Sequence, residues 1–173
     1  MNNIREKFGN IKAFAFDVDG VFTDGNVLLH PKGQYLRKMN IKDGYAVQYA
    51  IKTGYPVAII TGGYSRMVKK RFSYLGVKDI YMRSIQKTDA FEHFRNKYGL
   101  TFENILYMGD DIPDYEVMKQ AGLAVCPADA SQEIKEISAY VSYQRGGEGC
   151  VRDIIEQVLR LQSKWMKDGA FLW

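Results

Sequence analysis

Three aspartates, Asp17, Asp19 and Asp24, follow the apolar run in "AFAFDVDGVFTDG" at residues 13–25. Taken alone they read as a turn rich in Asp and Gly. The same kind of event recurs along the chain. "ITGG" closes another apolar run with Thr61, Gly62 and Gly63, a hydroxyl beside open backbone N–H groups. Lys87 opens an amphipathic segment, and "MGDDIPD" closes a further apolar run with Asp110, Asp111 and Asp114. Clustered carboxylates repel, and without a counter-charge some of them keep their protons. A divalent cation removes that conflict. A donor set of oxygens without sulfur points to Mg²⁺, which takes one or two carboxylates and keeps waters or phosphate oxygens. With Lys87 and Thr61 it makes a site for a phosphoryl group, whose transfer depends mainly on positioning and on neutralising the charge of its oxygens.

The elements that must present these residues alternate regularly. Short apolar runs at Lys12–Phe16, Val57–Ile60, Asp79–Met82, Ile105–Met108, Leu123–Val125 and Tyr140–Ser142 read as strands covered on both faces. Helical patterns lie between and after them, at about Gly44–Thr53, Ser65–Leu75, Lys87–Tyr98, Asp114–Ala121, Ser131–Ile137 and Cys150–Leu161. Gly54, Gly76, Gly99 and Gly122 follow four of these segments, where a left-handed cap would end a helix. The pattern predicts an α/β fold with a doubly wound, mostly parallel sheet, in which ligands bind beyond the carboxyl ends of the strands. Residues 25–38, "GNVLLHPKGQYLRK", break the rhythm as a β-hairpin insertion around "HPKG". No longer insertion leaves room for a cap domain, so residues 1–173 read as a single domain, with 145–173 its C-terminal loop, helix and tail.

Composition sets outer limits. A chain of 173 residues, 46% apolar and 25% charged, suits one soluble domain. It has no apolar stretch long enough for a bilayer and no apolar segment behind Arg5 and Lys7 that would make a secretory signal, so the expected location is the cytoplasm and no membrane partner is expected. Cys126 and Cys150 lack metal-ligand spacing, and a reducing cytosol leaves them unpaired. A net charge of +4 suits a small anionic substrate and is too dispersed for nucleic acid. Lys69, Lys70 and Arg71, the densest basic run, read first as a solvated helix face. His30 and His93 stand alone without ligand spacing.

"DVDGV", "ITGG", Lys87 and "GDDIPD", in that order, resemble the four signature motifs of the haloacid dehalogenase superfamily and span nearly the whole chain. The hairpin, "NIKDGYAVQ" and "RGGEGCVRD" narrow the resemblance to its small capless sugar-acid phosphatases, nearest to those acting on 3-deoxy-D-manno-octulosonate 8-phosphate. That resemblance implies a Rossmann-like fold and a Mg²⁺-dependent phosphoric monoester hydrolase of lipopolysaccharide synthesis. It implies that Asp17 is the nucleophile and that Asp19 protonates the leaving sugar oxygen and then activates water. The metal ligands would be Asp17, the backbone carbonyl of Asp19, and Asp110. Thr61, Gly62 and Lys87 would bind phosphate, with Asp111 and Asp114 orienting metal waters and Lys87 from behind. For Asp114 a helix-capping role stands beside this one.

Arg71 and Arg152 are the weaker expectations. In the resembled family an arginine on the helix after the second motif holds the substrate carboxylate, often across a subunit boundary. For both arginines an ordinary surface position is an equal reading. The loop Arg145–Asp153 resembles a flexible segment that covers a neighbouring site, with Gly146, Gly147 and Gly149 allowing the motion. A capless monomer leaves its site open to water, so a homotetramer joined through the hairpins is expected. Trp165, Phe171 and Trp173 are expected to pack on this chain or a partner, and Tyr45 and Tyr49 to serve a core or interface. Gly63 stands where the family carries a charged residue, which leaves a nine-carbon sugar acid 9-phosphate as the alternative substrate. A non-catalytic binding domain is the alternative of another class.

Overall fold

The computed structural model describes residues 4–167 and 169–172. In chain order the elements are α1 (Ile4–Asn10), β1 (Ala13–Phe16), the hairpin strands β2 (Leu28–Leu29) and β3 (Tyr35–Leu36), α2 (Ile41–Lys52), β4 (Val57–Ile60), α3 (Arg66–Tyr74), β5 (Asp79–Tyr81) and α4 (Lys87–Lys97). There follow β6 (Ile105–Met108), α5 (Tyr115–Gln120), β7 (Leu123–Cys126), α6 (Gln132–Ile137), β8 (Tyr140–Val141) and α7 (Cys150–Leu161). Six strands form one sheet in the order β5-β4-β1-β6-β7-β8, and every pairing in it is parallel. The chain winds outward from β1 in both directions, so the carboxyl end of β1, between β4 and β6, is the switch point where such sheets bind ligands.

Strand residues alternate in size as well as in direction. Phe14 and Phe16 of β1 point, with Val57, Ile59, Leu106 and Met108, to a core shared with α2, α3 and α7. Ala13 and Ala15 point the other way, with Ala58, Ile60 and Tyr107, to a core shared with α4, α5 and α6. Each fully buried Phe or Ile contributes about 1.5–3 kcal/mol relative to exposure. The alanines bring the second helical layer, and with it Lys87 on α4, close to the sheet.

The predicted strands and helices are present, with boundaries shifted by up to three residues. α1 was not expected, and α2 starts earlier than expected because Asn40 caps it, its side-chain oxygen accepting from the Lys42 N–H at 2.8 Å. Gly54, Gly76 and Gly99 take positive φ as expected of caps, at 92°, 91° and 61°. Gly122 does not. A Cβ there would lie 2.3 Å from the Glu103 Cα, so Gly122 answers close packing rather than a left-handed turn.

The hairpin pairs Leu28 with Leu36 and Leu29 with Tyr35, antiparallel. Both cysteines are buried free thiols. The tail folds back on α2: Trp165 stands edge-on to Tyr49, the Lys167 N–H donates to the Tyr49 hydroxyl at 2.9 Å, and the Tyr45 hydroxyl donates to the Ala170 carbonyl. Phe171 and Leu172 stay exposed, and Trp173 lies outside the described residues. Among the described residues no helix is long and apolar enough to cross a membrane.

Candidate active site

The backbone of Asp17 is fixed by the sheet. Its N–H donates to the Met108 carbonyl at 3.0 Å, one residue past the end of β1. The chain then turns sharply, the Val18 carbonyl accepting from the N–H groups of Val21, Phe22 and Thr23. Gly20 sits in that turn at φ 84°, and a Cβ on it would fall 1.9 Å from the Asp110 Oδ2. Only glycine meets both demands, the left-handed backbone and the close approach of the carboxylate arriving from β6.

Asp114 is the bracket of the site. Its Oδ1 accepts from the Lys87 Nζ at 2.7 Å and from the Tyr107 hydroxyl at 2.8 Å, and its Oδ2 accepts from the Asp110 N–H at 3.2 Å. It makes no capping bond to α5, so the helix-cap reading of Asp114 is corrected: those oxygens are already taken. The Lys87 Nζ also stands 3.0 Å from the Asp17 Oδ1, and Lys87, Asp17 and Asp114 are all buried. Thr61 follows β4, its hydroxyl accepting from the Gly63 N–H at 3.2 Å. Asp17, Asp19, Thr61, Gly62, Lys87, Asp110, Asp111 and Asp114 thus line one cleft of about 390 Å³.

Charge in this cleft is unbalanced. Burial pushes Asp17 up to about 7, helped by repulsion from Asp114 and opposed by Lys87. Burial, with repulsion from Asp17, Asp114 and Asp111, pushes Asp110 up to about 8. Burial pulls Lys87 down, but Asp17 and Asp114 outweigh it and the net shift is upward. Carboxylate oxygens of Asp17, Asp110 and Asp114 lie within 4.8 Å of one another. Asp114 is committed to three donors, whereas the Asp110 carboxylate has no hydrogen-bond partner among the described residues. Two crowded carboxylates carrying raised proton affinities, in an all-oxygen setting, are the donors a Mg²⁺ ion requires.

Arg37, which sequence reasoning missed, enters from the end of the hairpin. Its Nε donates to the Asp19 Oδ1 at 2.5 Å and its Nη2 to the Asp19 Oδ2 at 3.0 Å. No motif spacing marks it; only the fold brings residue 37 to residue 19. Arg71 and Arg152 do not line this cleft. The Arg71 guanidinium lies over Gly44, where a Cβ would come within 2.5 Å of its Nη2. Arg152 pairs with Glu156 at 3.2 Å and lies over the Trp165 ring. Its N–H donates at 2.8 Å to Asp43, a buried α2 side chain that ties down the start of α7. In the 145–149 loop Gly146 and Gly147 serve close contact, whereas Gly149 answers a left-handed backbone, at φ 116°, with nothing nearer than 3.9 Å to a Cβ placed there. A Cβ on Gly146 would meet the Gly20 carbonyl at 2.0 Å, and the Gly147 N–H donates to the Val21 carbonyl at 2.9 Å.

Residues 73–152 match the model of the haloacid dehalogenase-like hydrolases. The chain is 35% identical to the 3-deoxy-D-manno-octulosonate 8-phosphate phosphatase KdsC of Salmonella typhi, over 94% of this chain and 86% of that one. It is 36% identical to the same enzyme of Escherichia coli K12, over 91% and 84% of the two chains. Its fold superposes on the crystal structure of the Yersinia pestis phosphatase with a TM-score of 0.92 at 32% identity, covering 94% of this chain and 88% of that one. It superposes equally on the Moraxella catarrhalis phosphatase in complex with a magnesium ion, a phosphate ion and KDO, with a TM-score of 0.91 at 32% identity and 95% coverage of both chains. The relationship extends over nearly the whole length and includes every strand that feeds the cleft. The chain belongs to the haloacid dehalogenase-like hydrolases, in the family of the 3-deoxy-D-manno-octulosonate 8-phosphate phosphatases.

Proposed function

We propose that the chain hydrolyses 3-deoxy-D-manno-octulosonate 8-phosphate to the free sugar acid and inorganic phosphate, with Mg²⁺ held by Asp17, Asp110 and the Asp19 carbonyl. The observation that carries this reading is the convergence of Asp17, Asp19, Thr61, Lys87 and Asp110 on one cleft at the switch point, in a chain related over its length to phosphatases of that substrate. When bound, the ion supplies the positive charge that lets an anionic phosphoryl group approach an anionic side chain.

An Asp17 carboxylate oxygen attacks phosphorus, the bond from phosphorus to the sugar oxygen breaks, and Asp19 gives that oxygen its proton. The product of this step is an aspartyl-phosphate on Asp17. Asp19 then takes a proton from water, the resulting hydroxide attacks phosphorus, and the Asp17–phosphorus bond breaks to release phosphate. Thr61 and the Gly62 N–H hold the phosphoryl oxygens, and Lys87 neutralises both these and Asp17. In this state both Asp19 oxygens accept from Arg37, so acid work requires Arg37 to swing away as substrate enters. Asp114 acts through Lys87, Tyr107 and the Asp110 N–H, and Asp111 stands at the mouth.

The same reading includes a cytoplasmic location, supported by the two free thiols, and a homotetramer. Support for assembly comes from Leu28, Leu29 and Tyr35, which leave an apolar hairpin largely in water, at 68%, 70% and 60% exposure. Static light scattering is expected to give a mass four times that of one chain, and a monomeric mass at micromolar concentration overturns that part.

Asp17→Asn is expected to lower turnover about 10³-fold or more, and Asp19→Asn about 10²–10⁴-fold. Phosphate release from eight- and nine-carbon sugar acid phosphates is the assay. Wild-type rates in Asp17→Asn, or preference for the nine-carbon ester, contradict the reading.

Stability supplies a second check. Asp17 and Asp110 sit above the ordinary carboxylate value of 3.8, so between about pH 4 and about pH 8 the folded, metal-free chain binds more protons than the unfolded chain. Its stability therefore falls as pH rises through that window. Scanning calorimetry after chelation should show a lower Tm at about pH 8 than at about pH 5.5, with added Mg²⁺ raising Tm more at the higher pH. Equal increments at both pH values run against it.

A further inference from the structure

Arg83 lies between β5 and α4 at φ 57°, in the left-handed region that glycine enters freely and other residues seldom do. Strain of this kind survives where neighbouring structure enforces it, and it gathers at ligand sites. Here the enforcing bonds run to the Thr61 loop. The Arg83 N–H donates to the Gly63 carbonyl at 3.1 Å, and the Ser84 N–H donates to the Thr61 carbonyl at 3.0 Å. Ser84 and Ile85, the next two residues, line the catalytic cleft. The exposed Arg83 guanidinium stands 4.4 Å from the centroid of the Tyr64 ring. Tyr64 in turn lines a small cavity with Asp19, Arg37, Thr61 and Gly63.

The charges here are unequally occupied. Lys87 is paired with Asp17 and Asp114, and Arg37 with Asp19. Among the described residues no carboxylate pairs with Arg83. The cation–π contact with Tyr64 braces the Arg83 guanidinium, and its N–H groups remain available to a planar bidentate partner. Gly63, whose carbonyl accepts from the Arg83 N–H, carries no side chain into the neighbouring space, where a Cβ would come within 3.6 Å of both the Arg37 Nη2 and the Thr61 Oγ1. A solvated surface arginine needs neither a strained backbone nor an aromatic brace.

We propose that Arg83, braced on Tyr64, receives the carboxylate of the sugar-acid substrate and so selects acidic over neutral sugar phosphates. This rests on the function proposed above. The phosphoryl end lies against Asp17, Thr61 and Lys87, and the acid end extends past Gly63 to the rim.

The test compares wild type with Arg83→Gly, Arg83→Gln and Tyr64→Ala on the octulosonate 8-phosphate, on arabinose 5-phosphate as a neutral sugar phosphate, and on p-nitrophenyl phosphate. In both Arg83 variants, the kcat/KM for the sugar acid relative to p-nitrophenyl phosphate should fall about tenfold or more, mainly through KM. Tyr64→Ala should give a smaller fall in the same direction. Arg83→Gly should also raise Tm, because glycine relieves the backbone strain that the arginine carries. Retention of the wild-type substrate ratio by both Arg83 variants overturns the assignment, as does an equal loss on all three substrates. If the wild type itself does not prefer the sugar acid to arabinose 5-phosphate, the functional reading fails, an outcome distinct from variants that keep the preference.

Discussion

One buried ammonium group faces more negative charge than it can neutralise. Lys87 stands 3.0 Å from Asp17 and 2.7 Å from Asp114, while Asp110 completes a cluster with oxygens within 4.8 Å. At an effective dielectric constant near 20, two carboxylate charges at that separation repel by roughly 3 kcal/mol, and an ammonium at 3 Å attracts one of them by roughly 5 kcal/mol. Lys87 can settle two carboxylates but not three. The surplus shows in Asp17 and Asp110, whose proton affinities are raised by burial and by repulsion among the carboxylates, to about 7 and about 8. A divalent ion is the simplest means of restoring both to the charged form that nucleophilic attack and metal binding need.

The fold keeps that surplus in place. Parallel strands bring Asp17 and Asp110 to the same edge, and the Asp17 N–H bond to Met108 locks the two strand ends together. Small residues set the distances: Gly20 admits the Asp110 carboxylate, and Gly109 admits Asp114, whose Cγ would lie 2.4 Å from a Cβ there. Asp114 then spends its oxygens on Lys87, Tyr107 and the Asp110 backbone. Its task is to aim the ammonium and the neighbouring carboxylate, which leaves the outer two aspartates open to a ligand. The hairpin adds a second, more open charge pair, Arg37 with Asp19, at the entrance.

Much of this was legible in the sequence. Continuous apolar runs such as Val57–Ile60 and Ile105–Met108 became strands at the predicted limits, because a strand buried on both faces needs apolar side chains at every position. The polar residues ending those runs had nowhere to go but the sheet edge, so the cleft residues came out together. What stayed hidden were contacts between distant segments. Asp43 carried no expected role, yet it is buried against the start of α7. Arg37 and Arg83 sit in turns with no periodicity, and nothing local ties them to Asp19 or Tyr64. Gly146 and Gly147 read as freedom because composition reports what glycine permits, not which backbone it must pass. Gly122 was misread for the same reason.

The surplus charge can be counted directly by titrating metal-free protein with Mg²⁺ in a calorimeter, near neutral pH, in buffers of differing ionisation enthalpy. If crowded carboxylates hold protons that the cation displaces, the buffers will report on the order of one proton released per ion bound, declining toward none as the starting pH is raised well above 8. Binding with no proton release near neutrality, or no binding at all, would contradict the account.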